Sequence, residues 1–343
     1  MKKLSFLCAC IIYINSINAQ IIALHHEGET QIFKGNTSFA QAYESSQNGD
    51  TLYFSGGTYF PPSKIEKELT LFGAGHYQDS TLVTGKTIIS GDVVLENGAN
   101  NFYIEGFQIT GRLRVSTNHT ISGLTCKRNR ITSTIDFVGN QSNPSSNIAI
   151  IGSVFSGGDF QYAENVLVNN CIISNGRFIY SYGNSFSNNI ILYSYYSSSA
   201  YVFSASNNNN ISNNIIHRSD GYSNNVATGD GNVFYNNLFS MATPNLGNNP
   251  STLNNQYNIE MLDFFVNQTG VDFNYSHDYH LSEPTQYMGT DGTQVGIYGG
   301  IFPYKEGAVP LNPHIQINNS SSSTDSYGNL PVYIQVKAQK DID

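Results

Sequence analysis

One short pattern recurs along this 343-residue chain and limits its folds more than any other feature. A turn residue, most often Asn, is followed by any residue and then by a bulky apolar one. It reads Asn129-Arg130-Ile131, Ser153-Val154-Phe155, Asn170-Cys171-Ile172, Asn189-Ile190-Ile191, Asn214-Ile215-Ile216 and Asn237-Leu238-Phe239, with a weaker relative at Phe107-Gln108-Ile109. The mean spacing is about 22 residues, too short for helix-pair repeats, which need about 33. The leucine-rich repeat shares the period but requires a Leu and Asn pattern that is missing here. The apolar runs are rich in Ile, Val, Phe and Tyr, alternate with polar residues, and end in Asn, Ser or Gly, which are strand and turn signals. Asn tolerates the left-handed turn conformation, and stacked Asn side chains can hydrogen-bond from one coil to the next. A sandwich of hairpins would place Asn-Gly or Asp-Gly between paired strands. Here the recurring dipeptide is Asn-Asn, at 169–170, 188–189, 213–214 and 236–237, always in the same place relative to an apolar run. Stacked coils explain that recurrence. The expected fold is all-β: a single-stranded right-handed parallel β-helix solenoid.

Strand alternation then assigns faces. The third residue of each triplet is expected inside, and Cys171, Ile173, Ile190, Leu192, Ile215, His217 and Leu238 outside. Apolar residues on both faces imply a covered sheet, so the C-terminal appendage or a long loop is expected to pack along the outside between residues 171 and 238. The ends of a solenoid need caps. Asn36-Thr37-Ser38 ahead of Phe39, Ala40 and Tyr43 predicts a short capping helix. His314–Ile317 and Leu330–Val336 flank a run of serines and read as a two-stranded C-terminal appendage, too small to stand alone.

Gly49-Asp50-Thr51-Leu52-Tyr53-Phe54, Gly57-Thr58-Tyr59 and Leu69-Thr70-Leu71-Phe72-Gly73-Ala74-Gly75 follow the capping helix. This entry resembles that of the pectate-lyase superfamily of right-handed β-helices, and with the Asn-x-apolar coils the resemblance covers roughly residues 36 to 300. The stretch Tyr279-His280-Leu281 through Gly296-Ile297-Tyr298-Gly299-Gly300 resembles the closing coil of exported Bacteroidetes β-helix proteins. The resemblance implies the fold far more than an activity, because that superfamily holds lyases, hydrolases, epimerases, tailspikes and adhesins.

Lys2 and Lys3, the apolar run Leu4 to Tyr13 and the small residues before Gln20 read as an export signal over 1–19. The expected organisation is thus 1–19 signal, 20–302 β-helix with its cap, and 303–343 appendage. The address is periplasm, cell surface or medium; a lipid on Cys10, from the loose box Leu7-Cys8-Ala9-Cys10, is the rival. No later segment is long enough to span a bilayer. With only 12% charged residues and a net charge of −9, nucleic acid and anionic membranes are poor partners. Cys126 and Cys171 fall about two coils apart, roughly 9.6 Å, beyond the ~7 Å that a disulfide tolerates. They are expected as free thiols.

Three groups of residues could carry chemistry. Arg112, Arg114, Lys127, Arg128 and Arg130 could neutralise a uronate and supply the base of a lyase, with calcium as a possible cofactor. No carboxylate array stands nearby in the sequence to hold that ion, and ion pairing such as Lys127 with Glu105 is the plainer reading. His217, Arg218, Asp220 and Asp230 resemble a hydrolytic constellation, although both aspartates precede Gly as turn residues do. Tyr180, Tyr182, Tyr193, Tyr195, Tyr196, Tyr201, Tyr222 and Tyr235 crowd adjacent coils and could form a carbohydrate platform. No metal site is recognised. The chain therefore reads as an exported β-helix protein that contacts polysaccharide as a binding or structural module. The alternative is a polysaccharide lyase, or a glycoside hydrolase, acting on uronate-containing polysaccharide.

Overall fold

In the computed structural model, which describes residues 20–260, 264–321 and 323–338, the repeat becomes a parallel β-solenoid of about 9 turns. The signal segment expected over 1–19 lies outside the described residues. Two 12-stranded sheets form the long faces, and a 3-stranded sheet of Val93–Leu95, Leu113–Val115 and Ile135–Phe137 forms a third. In later coils the third face is continued by the far ends of Val154–Asp159 and Ile172–Ile179, then by Phe203–Ser204, Asn225–Asp230 and Asn245–Asn248. The only α-helix among the described residues, Ser38–Ser45, buries Phe39 and Ala42 at the first coil. An antiparallel hairpin, Ile21–His26 with Glu29–Lys34, precedes it and pairs with Asp50–Phe54, so the first sheet edge is closed by strands as well as by the helix.

The interior is apolar and rich in rings. Phe160, Phe178, Phe186 and Phe203 come from three successive coils, with centroids 5.3, 4.6 and 5.1 Å apart along the series. At the corner between the two long sheets a ladder, buried as far as Asn237, runs through seven rungs: Asn129, Ser153, Cys171, Asn189, Asn214, Asn237 and Asn255. Each rung accepts a hydrogen bond from the backbone N–H one coil earlier. The Asn rungs also donate from Nδ2 to a backbone carbonyl, as Asn189 does to Val168 and Asn214 to Phe186. The preceding residues, Asn170, Asn188, Asn213 and Asn236, all take φ between 52° and 55°, the left-handed turn for which Asn is suited.

The ladder corrects one triplet. Ile172 pairs with Ile190 and Ile173 with Ile191, so Cys171, not Asn170, occupies the rung. A slip of one residue exchanges the faces of a strand. Cys171 and Ile173 are therefore in the interior and Ile172 is outside, the reverse of the expectation; Ile190, Leu192, Ile215 and Leu238 lie outside as expected. Cys126 and Cys171 are both buried and free.

The outward apolar stripe is covered. Val154, Ile172, Ile190, Leu192, Ile215 and Leu238 share one buried cluster with Phe264, Phe265, Val271, Phe273, Tyr279, Leu281, Tyr287, Val295, Ile297 and Tyr304. The residues expected to form a closing coil, 279–300, thus belong to a strap that runs back along the outside. The last strand of the first long sheet is Ser251–Leu253. The left-handed asparagines fasten the strap: Asn170 Nδ2 donates to the carbonyls of Ile297 and Gly299, and Asn236 Nδ2 to that of Met288. Of the two covers expected, the long loop is the one found; within 303–343, Tyr304 joins the cluster, whereas the antiparallel pair His314–Ser320 with Val332–Lys337 contributes nothing to it.

Candidate functional site

The five clustered basic residues are separated by the coil geometry. Arg112 and Arg114 belong to the third face, where Arg114 Nε lies 3.2 Å from Asp92 and Arg112 lies 3.8 Å from Asp92 and 3.6 Å from Asp136. Lys127 is in the first long sheet, in register with Glu105. Arg128 sits at the corner with φ of 53° and pairs with the buried Glu105 carboxylate. Arg130 is in the second long sheet, with its guanidinium 4.8 Å from the centroid of the Tyr275 ring in the strap.

The 217–230 group is likewise divided. Arg218 points into the interior, fully buried, with its guanidinium 5.1 Å from the Tyr193 ring centroid. It donates to Asp220 Oδ2 at 2.8 Å and to the carbonyls of Tyr195, Ser197, Ala200 and Asn225. Burial opposes ionisation of Asp220, but Arg218 and the N–H groups of Tyr195 and Tyr222 outweigh it and hold the carboxyl below the ordinary range. This is a clamp between two loops, with its carboxylate already engaged. Asp230 lies apart in an Asn network, accepting from Asn249 Nδ2 at 2.8 Å. His217 faces outward against Ser240 Oγ at 2.9 Å, and burial lowers its pKa.

The tyrosines do not form one row. Tyr193 is buried, Tyr180 and Tyr182 are exposed, and Tyr195 and Tyr196 are exposed by 59% and 79%. Tyr201, Tyr222 and Tyr235 are half-buried, and the rings of Tyr196 and Tyr222 lie 5.2 Å apart at 56°.

What the coils do bring together is an open groove of about 430 Å³ where the second long sheet meets the third face. Thr134, Asp136, Ser156, Asp159, Asn175, Arg177, Tyr193 and Tyr195 line it. Only the two tyrosines among these were singled out in the sequence. Its floor depends on glycine: a Cβ on Gly158 would stand 1.8 Å from the Ile135 carbonyl oxygen, and one on Gly157, at φ +78°, 2.0 Å from that of Arg177. Asp136 Oδ1 accepts the Asp159 N–H at 3.2 Å, and Asp136 Oδ2 accepts the Thr134 hydroxyl at 2.9 Å. Burial, reinforced by the neighbouring Asp136 charge, raises the Asp159 pKa against the bond from Gln161 N–H. Arg177 is half-buried and forms no ion pair among the described residues. The groove thus offers two adjacent carboxyls in unlike environments, a guanidinium and an exposed phenol ring.

Among the described residues no three of His, Cys, Asp and Glu converge as a metal-binding group, and no helix is long and apolar enough to cross a membrane. No known protein family, curated protein or solved structure matches the chain.

Proposed function

We propose that this is an exported β-solenoid that binds polysaccharide in the groove formed by Asp136, Asp159, Asn175, Arg177, Tyr193 and Tyr195. The observation that carries this reading is the pairing, in one open 430 Å³ groove, of hydrogen-bonding groups of both signs with an exposed ring. Sugars present hydroxyls that both donate and accept, and C–H faces that pack on aromatic rings. Arg177 and Asn175 supply donors, the two aspartates supply acceptors, and Tyr195 supplies the flat apolar surface. The likeness of the N-terminal coils to the pectate-lyase superfamily supports the same class of ligand by analogy.

Affinity electrophoresis through gels containing individual polysaccharides tests the reading. Retardation by at least one of them, lost in both Arg177→Ala and Tyr195→Ala, is the expected result. Equal mobility of the three proteins in every gel refutes it.

A second reading rests on Asp159. A carboxyl held protonated to higher pH beside a second carboxylate is the arrangement of a glycosidase acid and its partner. Release of reducing ends from a retarding polysaccharide, abolished by Asp159→Asn with binding retained, supports hydrolysis. For a lyase, ultraviolet absorbance of an unsaturated uronate product is the readout.

A further inference from the structure

We propose that Lys86 and Arg130, both drawn onto the ring of Tyr275, form a binding site for an oxyanion group at the edge of the strap. Lys86 Nζ lies 4.4 Å and Arg130 Cζ 4.8 Å from the Tyr275 ring centroid, and Arg130 also lies 5.2 Å from that of Phe273. Both cations come from the solenoid coils, and both rings come from the strap. Neither cation forms an ion pair among the described residues. A ring face attracts a cation but does not neutralise it, so two like charges are held together without an ion-pair partner for either among the described residues. A shared anion would convert that repulsion into two charge-assisted hydrogen bonds.

A second observation points the same way. His76 is fully buried beside this pair, with Nδ1 3.3 Å from the Tyr275 hydroxyl and Nε2 without a hydrogen-bond partner. The contact between His76 and the Tyr275 hydroxyl ties the imidazole to the same ring that holds both cations. Its Nε2 is thus a buried polar atom with no partner among the described residues, in the company of two cations. The nearby carboxylates are Asp79, which acts on Lys86 from beyond ion-pair distance, and Asp272, which with Arg130 lines a recess of about 280 Å³. This recess shares Ser156 and Asn175 with the larger groove, so an anionic substituent of a ligand in the groove could reach it; the site itself does not depend on what the groove holds.

Equilibrium dialysis of the full chain against labelled inorganic sulfate, at constant ionic strength in chloride, tests the proposal. Saturable binding of about one sulfate per chain is expected, weakened about tenfold or more by Lys86→Gln and by Arg130→Gln and kept within about threefold by Lys86→Arg. Arg130→Gln also loosens the strap, whereas the Lys86 side chain is half-buried and makes no hydrogen bond among the described residues, so Lys86→Gln remains informative if the other variant misfolds. Absence of saturable sulfate binding, or binding undiminished in Lys86→Gln, overturns the proposal. Displacement of bound sulfate by a sulfated disaccharide and not by its unsulfated counterpart identifies a glycan-borne group. Displacement by inorganic phosphate alone identifies a small free anion.

Discussion

Replacement of Asn214 by Ala is the sharpest test of the buried ladder as the element that holds coil to coil. Asn214 Oδ1 accepts from the Asn189 N–H at 2.8 Å and from Asn189 Nδ2 at 2.9 Å. Its Nδ2 donates to the Phe186 carbonyl at 2.8 Å and to Asn237 Oδ1 at 3.0 Å. Alanine removes all four bonds at a site with no solvent to replace them. At about 1 kcal/mol net per bond the loss is about 4 kcal/mol, with the orphaned Asn189 N–H pushing it upward. Asn237 keeps the Asn214 N–H and so limits the damage on that side. Urea unfolding followed by circular dichroism should show a lower midpoint at an unchanged m-value, because the surface exposed on unfolding is nearly the same. Asn224, exposed and without a side-chain hydrogen bond among the described residues, is the control, and its alanine variant should stay within about 0.5 kcal/mol of wild type. A loss below about 1 kcal/mol for Asn214→Ala would mean that the stacked strands and rings hold the coils without the ladder, and the reasoning would be wrong.

Three further outcomes follow from the same geometry. Cys171→Asn should stabilise the protein by about 1 kcal/mol in urea unfolding, since Asn at that rung can accept from Ser153 N–H and donate to the Ile150 carbonyl, contacts that the thiol makes at 3.5 and 3.4 Å beside its 3.2 Å contact to the Asn169 carbonyl. Arg218→Met should cost about 3–5 kcal/mol by stranding Asp220 and several carbonyls, read from the unfolding midpoint. Because the Asp220 pKa is lowered on folding, its contribution is complete above the unfolded value near 4 and is lost as pH falls through the folded one. The acid-side decline of the midpoint should therefore be shallower in Asp220→Asn. Gly158→Ala, whose methyl meets the Ile135 carbonyl oxygen at 1.8 Å, should push neighbouring coils apart, abolish retardation in polysaccharide gels and lower stability.

The fold was legible because a solenoid writes its geometry into the chain at every turn. Six triplets were enough to give the period, and their asparagines marked both the left-handed corner and the ladder beside it. The one slipped triplet shows what the pattern measures. At Cys171 the rung is filled by a residue that accepts a backbone N–H but is not Asn, so matching on Asn moved the triplet to Asn170 and inverted the faces of Cys171, Ile172 and Ile173. The outward stripe was readable from Ile190, Ile215 and Leu238, and its cover could be expected on physical grounds. Which segment provides the cover could not be, because the strap has no repeat of its own: Phe264, Val271, Tyr279, Tyr287 and Ile297 are spaced irregularly along it.

The site was hidden for a different reason. Candidates were grouped by closeness in the chain, as in Arg112 to Arg130 or His217 to Asp230. In stacked coils the neighbour of a side chain lies one repeat away, so residues adjacent in sequence turn different corners and part company. Arg114 and Asp136 are in direct register, and Asp159, whose N–H reaches Asp136 from 23 residues on, continues the column. Arg177 pairs in register with Gly157, two residues before Asp159. Reading the chain down such columns brings Asp136, Asp159 and Arg177 together, and the glycines of Ser156-Gly157-Gly158-Asp159 and Asn175-Gly176-Arg177 mark where backbones approach too closely for side chains. A column of charged residues flanked by glycine on consecutive coils is thus the signal to seek in such a solenoid. It selects a place where charge is gathered across coils rather than paired off at a corner, as Arg128 is with Glu105, or buried in a clamp, as Arg218 is with Asp220.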